Sequence, residues 1–145
     1  MKVPELLKHK PIIAVNGYDE NDAQFAGGTD ARALSIGIAQ YDDYNDDHNK
    51  EISLKVWRHT GEKWSRQSEE LPIHRCIDLN ILFLDSLLCC IENKYPDSFF
   101  EGTIINADKI KDIARYYDNK KEYLKPRLIE LKNKLNKLTD FIEND

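Results

Sequence analysis

The chain has 145 residues, a formal net charge of −5 and 41% hydrophobic residues, which is typical of one folded domain and excludes wholesale disorder. No apolar run approaches the roughly 20 residues that a membrane-spanning helix needs, and the N-terminal MKVPELLKHK lacks the apolar centre of an export signal. Three cysteines without a CxxC spacing fit a reducing compartment. We therefore expect a cytoplasmic protein with no membrane span.

The first 70 residues predict a small antiparallel β meander. A short β-prone run, KPIIAV, ends at the turn signal Asn16-Gly17. From Ala33 to Tyr41, large apolar residues alternate with small ones, so one face of this strand is small enough for another element to approach closely. A second strand is expected over Glu51 to His59, and a tight turn then leads into a third antiparallel strand that begins at Trp64.

Helical periodicity replaces the β pattern from residue 71 onwards. Pro72 is suited to the first position of a long central helix that runs to about Lys94. A short helix ending near Tyr117 and a last helix with Pro126 in its first turn follow. The predicted fold is α+β: one domain over residues 1–145, with a sheet of three or four strands packed on the central helix and two C-terminal helices.

The last helix carries a heptad-like seam of apolar residues, spaced alternately four and three. These residues are Leu124, Leu128, Leu131, Leu135, Leu138 and Ile142. One interpretation is packing against the protein's own core, and the other is a homodimer formed through this helix.

Charge is unevenly distributed along the chain. Residues 18–51 contain nine acidic and two basic residues, and an acidic loop lies at residues 42–50, whereas residues 109–137 contain ten basic and four acidic residues. Such asymmetry indicates either a nucleic-acid face or complementary surfaces between elements or subunits. The overall acidity disfavours nucleic-acid binding, since phosphate contacts supply most of its affinity.

The central helix places His74 and Asp78 one turn apart, on a narrow polar stripe. A carboxylate at that distance can orient an imidazole for acid–base chemistry, although a simple solvated stripe explains the same pattern. A metal site would need a further ligand, and neither HExxH nor CxxC is present, so no metal and no specific cofactor is predicted.

The stretch WSRQSEELPIHR, residues 64–75, concentrates polar groups before this helix. Glu69 and Glu70 are candidate general bases, and they are also favoured beside a helix N-terminus for structural reasons. Arg66 and Arg75 are candidate anion-binding groups. Further candidate ligand-binding residues are Trp57 and Trp64, as stacking surfaces, and Asp30 and Arg32 of the loop GGTDAR.

Residues 23–40, AQFAGGTDARALSIGIAQ, and the later KVWRHTGEKWSRQSEELPIHRCIDL together resemble an uncharacterised family of small bacterial proteins, a domain of unknown function. The resemblance covers roughly Ala23 to Leu84 and implies no activity, cofactor or catalytic residue.

Three functional hypotheses follow from these patterns. The first is a cytoplasmic binding module that takes a small polar or anionic ligand, or a protein partner, in a cleft formed by the third strand, the start of the central helix and the GGTDAR loop. The second is a small hydrolase-type enzyme that uses Glu69 or Glu70 with a His74–Asp78 pair. The third is a structural protein that dimerises through its C-terminal helix.

Overall fold

The structure is a computed structural model, and it describes residues 1–4, 8–42, 50–65 and 68–144. The acidic loop at residues 42–50 falls mostly outside the described residues, as does Arg66. Within the described residues, four strands and two α-helices make up the regular structure, together with three single-turn 3₁₀ helices. The strands and helices are β1 (Lys10–Asn16), β2 (Ala31–Ile38), β3 (Ile52–Arg58), β4 (Glu69–Pro72), α1 (Ile73–Glu92) and α2 (Ile110–Glu143).

The four strands form one antiparallel sheet in the order β1-β2-β3-β4. The α+β class and the small antiparallel sheet are therefore confirmed. Both outer strands carry proline, Pro11 in β1 and Pro72 in β4. Proline is tolerated at an edge because it has no backbone N–H to donate to a further strand. A β-bulge between Pro11 and Ile13 also interrupts the regular ladder of β1, which discourages edge-to-edge association.

The sheet has two chemically different faces because residues alternate along each strand. The small-residue face carries Ala33, Ser35 and Gly37 of β2, all buried, with Ser53 and Trp57 of β3 opposite them. A β-carbon at Gly37 would collide with the carbonyl oxygen of Lys10 in the neighbouring strand β1, so this position requires glycine.

The second face, which we call the apolar face, bears aliphatic side chains from all four strands. They are Ile13, Val15, Leu34, Ile36, Leu54, Val56 and Leu71.

The start of α1 differs from the prediction. Pro72 was expected at the first helical position, but it is the last residue of β4, opposite Ser53, and the helix begins at Ile73. Leu71 is extended, as expected for a residue before proline, and pairing with β3 carries the extended backbone one residue further. The strand that was predicted to begin at Trp64 corresponds to β4 and begins at Glu69, since Trp64 forms only an isolated bridge to His59.

The prediction of a long central helix followed by two C-terminal helices is wrong. The helix α1 has 20 residues and ends at Glu92, where Asn93 adopts a left-handed conformation that terminates helices. A single 34-residue helix, α2, replaces the two predicted helices and continues through Pro126. Proline cannot donate to the carbonyl four residues earlier. The carbonyl left without this donor belongs to Glu122, and the Arg127 guanidinium donates to the carbonyl of the next residue, Tyr123, at 2.9 Å.

The chain divides into two compact units, residues Met1–Leu82 and Phe83–Asp145. The first unit contains the whole sheet and the first half of α1. The second contains the rest of α1 and all of α2, where the Cys90 thiol lies 3.5 Å from the Ile110 carbonyl oxygen. The interpretation of residues 1–145 as one domain stays a prediction.

Candidate functional site

A buried chain of hydrogen bonds crosses the small-residue face of the sheet and is centred on His9. The imidazole Nε2 lies 2.9 Å from the Ser35 Oγ, and Nδ1 lies 3.0 Å from the Ser53 Oγ and 3.2 Å from a Glu70 carboxylate oxygen. The Ser53 hydroxyl donates to that same oxygen at 2.6 Å, and the Trp57 indole N–H donates to Ser35 at 2.8 Å. One segment before β1 is thus tied to β2, β3 and β4.

One arrangement of protons satisfies every group in this chain. Trp57 donates to Ser35, Ser35 donates to Nε2 of a neutral His9, Nδ1–H of His9 donates towards Ser53 and Glu70, and Ser53 donates to the ionised Glu70. The Nδ1–H of His9 is shared between two acceptors, and the chain ends on the negative charge of Glu70, where hydrogen bonds are strongest.

Electrostatics favour the same protonation states. Burial lowers the pKa of His9, and this outweighs the hydrogen bond and charge of Glu70, which raise it. Burial alone would raise the pKa of Glu70, but hydrogen bonds from Ser53, the Gln40 backbone N–H and His9 outweigh it, so the pKa is lowered. A neutral imidazole therefore lies beside a carboxylate.

Ser35, His9 and Glu70 follow the order of contacts found in serine hydrolases, hydroxyl to imidazole to carboxylate. Their burial gives the arrangement a structural role instead. Ser35 is 6% exposed and His9 is 1% exposed, and the Ser35 oxygen already accepts the indole N–H. These two groups are shielded from solvent, and their hydrogen bonds join the strands to the segment before β1.

One oxygen of Glu70 stands apart from the network. Its Oε2 is buried and has no hydrogen-bond partner among the residues that the structure describes. Lys55 lies opposite Glu70 in the register of β3 and β4. Its ammonium lies 4.0 Å from the centroid of the Trp57 ring. Burial lowers the pKa of Lys55, although the Glu70 charge opposes this effect.

Glu69, the neighbour of Glu70, lies on the opposite side of the strand and belongs to a different cluster. The Arg58 guanidinium donates two hydrogen bonds to the Glu69 carboxylate, at 2.6 and 3.1 Å, and one to Asp30 at 2.6 Å. The hydrogen bond from Arg58 lowers the pKa of Glu69, which keeps it ionised. A carboxylate held in this way is a poor proton acceptor.

The remaining predicted site residues do not meet in one cleft. Arg32 is paired with Asp19 at 3.0 Å, away from the pairing of Asp30 with Arg58. His74 and Arg75 are exposed in the first turn of α1. Within the described part of the chain, no hydrogen bond joins His74 to Asp78. The roles predicted for these residues stay predictions.

Of the two tryptophans, Trp57 is buried and Trp64 is half-buried. Trp57 is 1% exposed and makes edge-to-face contacts with His9 and with Trp64, each at 5.7 Å between ring centroids. Trp64 in turn contacts His59 at 5.0 Å. Stacking of a ligand on Trp57 is therefore blocked by the protein's own side chains.

The apolar face is concave and open to one side. It forms a groove of about 330 Å³ lined by the aliphatic side chains of the four strands, with Cys76 of α1 and Glu69 at its border. Ile13 and Val15 on β1 remain 68% and 53% exposed. Exposed apolar surface that is contiguous over several strands is typical of an interaction site.

The sequence did not indicate the residues of the buried network other than Glu70 and Trp57. In the sequence, Ser35 is one of the small residues that alternate with large ones between Ala33 and Tyr41, and His9 lies outside any motif. The one local signal is a serine in the middle of two neighbouring strands, where the inward position otherwise takes apolar or small residues. The hydrogen bond between His9 and Ser35 joins residues that are 26 positions apart, and such a contact produces no periodic pattern in the sequence.

These features define a small α+β protein with a four-stranded antiparallel sheet, one sealed face and one open apolar face. The chain belongs to a family of unknown function, DUF6530, whose model matches residues 1–111. The prediction that it belongs to an uncharacterised family is thereby confirmed. No curated protein and no solved structure shows significant similarity to it.

Two further properties concern the described residues only. Neither of their helices is both long enough and apolar enough to cross a membrane. No group of three or more described histidine, cysteine, aspartate or glutamate side chains is placed to hold a metal ion.

Proposed function

We propose that this protein is a binding module that takes a partner protein on the apolar face of its sheet. The observation that carries the proposal is the difference between the two faces. The small-residue face is closed by the His9 network, whereas on the other face Ile13 and Val15 are exposed and the remaining aliphatic side chains are half-buried. Leaving such surface in water costs about 25 cal/mol for each Å² that a partner would cover.

A protein partner fits this groove better than a small polar or anionic ligand. Its lining offers almost no polar atoms to orient such a ligand, and the nearby Arg58 is already paired with Asp30 and Glu69. The second concave surface, at the GGTDAR loop, is lined by Asp22 and Asp30, which disfavour an anion. The three free cysteines support a location in the reducing cytoplasm.

The hydrolase-type alternative receives less support from the geometry. Glu69 and Glu70 lie on opposite faces of the sheet, each held by its own partners, and His74 lies on the surface of α1. General acid–base catalysis needs these groups within hydrogen-bond reach of one substrate.

A site-specific photo-crosslinker at Ile13 tests the proposal in cells that express the chain. We expect a discrete crosslinked product at Ile13, because this exposed side chain belongs to the apolar face. The matched control is Glu62, an exposed residue of the turn before Trp64. The partner identified by mass spectrometry should bind the purified chain, and Val15→Asp should weaken that binding at least about tenfold. Identical products at both positions would contradict the proposal.

A further inference from the structure

The C-terminal half of α2 presents an apolar seam that stays open to solvent. Its residues are Leu124, Leu128, Leu131, Leu135, Leu138 and Ile142. The last four are between 39% and 60% exposed. The N-terminal end of the same helix, by contrast, borders a groove that also includes Cys90 and Ile104, within the second unit. That groove ends at Asp118, so the seam, which starts at Leu124, lies beyond it.

The width of this seam indicates what kind of surface covers it. Its members follow the alternating spacing of positions a and d of a heptad, which gives a narrow stripe suited to a second helix. A helix that lies in a membrane surface needs a broader apolar face. Most of the stability of a helix in a protein comes from packing of its apolar side, so a covering helix also stabilises α2 itself.

The charges beside the seam indicate the chemistry of that second helix. With Leu128 and Leu135 at position a, the flanking e and g positions between Leu124 and Leu138 are all basic: Lys125, Arg127, Lys132 and Lys134. The acidic residues of this half lie at other heptad positions, and Glu130 pairs along the helix with Lys134 at 3.2 Å. An exposed pair of this kind contributes little, so the flanks keep their positive character.

Self-association through this seam brings like charges together. In a parallel pair of helices, the g residue Arg127 of one copy faces the e residue Lys132 of the other, and an antiparallel pair sets g against g and e against e. Both orientations oppose basic groups, which disfavours the homodimer predicted from the heptad spacing. Glutamates at the same positions of a partner would instead form attractive pairs.

We propose that residues 124–142 of α2 bind an amphipathic helix of a partner protein whose apolar seam is flanked by acidic residues. This surface shares no residue with the apolar face of the sheet, so the inference stands independently of the function proposed above.

Two synthetic peptides test this directly with the full chain. Both are four heptads long with Ile at a and Leu at d, and they differ only in carrying Glu or Lys at every e and g position. Fluorescence anisotropy should show at least about tenfold tighter binding of the Glu peptide at low ionic strength. The preference for the Glu peptide should decrease at about 1 M salt, where interactions between exposed charges are screened beyond about 3 Å.

Charge reversal provides the matched comparison. The triple variant R127E/K132E/K134E should prefer the Lys peptide, whereas the control K2E/K63E/K94E changes net charge equally, at exposed positions outside α2, and should keep the original preference. Because an altered α2 can lose helicity, far-UV circular dichroism accompanies each variant. The L135D variant, with the basic flanks intact, should lose binding of the Glu peptide.

Three outcomes would overturn the inference. Equal affinity of the wild-type chain for both peptides, or no binding of either, would show that the seam does not select a helix flanked by acidic residues. Light scattering that shows a dimer dissociated by L135D would assign the seam to a second copy of the chain. Tighter binding to phosphatidylserine vesicles than to the Glu peptide would assign it to a membrane surface. I13D should leave peptide binding unchanged, which separates failure here from failure of the proposed function.

Discussion

His9 contacts side chains from three different strands, and that connectivity makes it a structural residue of unusual importance in a small protein. Among the described residues, the buried apolar side chains are few and small apart from Trp57. Burial of apolar surface therefore contributes only modestly to the stability of the fold. A satisfied polar network adds directionality, because its hydrogen bonds form only in one register of the strands. The same network becomes costly when one partner is removed, since the others stay buried.

Substituting Glu70 by glutamine tests this role at the scale of one residue. The neutral amide weakens the charge-assisted hydrogen bonds from Ser53 and His9, so the free energy of unfolding should fall by about 1–3 kcal/mol. Glu69→Gln is the matched control, since Glu69 is half exposed in its pair with Arg58, and its loss should stay below about 1 kcal/mol. Equal losses in urea denaturation would show that the network has no special weight.

At the scale of the elements, α2 is the helix whose form depends most on context. Its sequence contains a proline that usually marks a helix start, yet the helix continues from Ile110 to Glu143. Apolar residues recur on one side of it both before and after Pro126, so a continuous helix keeps them on one stripe. The gain from a continuous stripe is realised only when a partner covers it.

Pro126→Ala distinguishes one helix from two. In a continuous helix, alanine restores the backbone hydrogen bond to the Glu122 carbonyl and removes a residue that costs about 3 kcal/mol in a helix interior. Helicity by far-UV circular dichroism should therefore rise, and amide exchange around residues 122–128 should slow. A fall in helicity would instead identify Pro126 as the first-turn residue of a separate helix, as its sequence context suggested.

At the scale of the whole molecule, the two titrating groups of the network couple stability to pH. Folding lowers the pKa of His9 below its ordinary value of 6.5 and that of Glu70 below 4.5. The unfolded chain therefore binds protons at pH values where the folded chain does not, and acid favours unfolding.

Denaturation at a series of pH values measures this coupling. The contribution of His9 is complete above about pH 6.5 and should be lost as the pH falls below that value, and the contribution of Glu70 should be lost below about 4.5. His9→Gln should flatten the slope between pH 5 and 7, whereas the control Trp57→Phe destabilises the network but retains the imidazole and the slope. A wild-type free energy of unfolding that is constant over this range would contradict the assignment of a neutral His9.

The sequence by itself determined the α+β class, the alternation of large and small residues along β2, and the apolar seam of α2. Each depends on residues close together in the chain, where periodicity and turn chemistry report local structure. Only the tertiary structure decided that Glu69 and Glu70 face opposite sides, that His9 is the centre of the buried network, and that Pro72 ends a strand. Pairing between distant segments sets these features, and sequence periodicity carries no record of which distant segments pair.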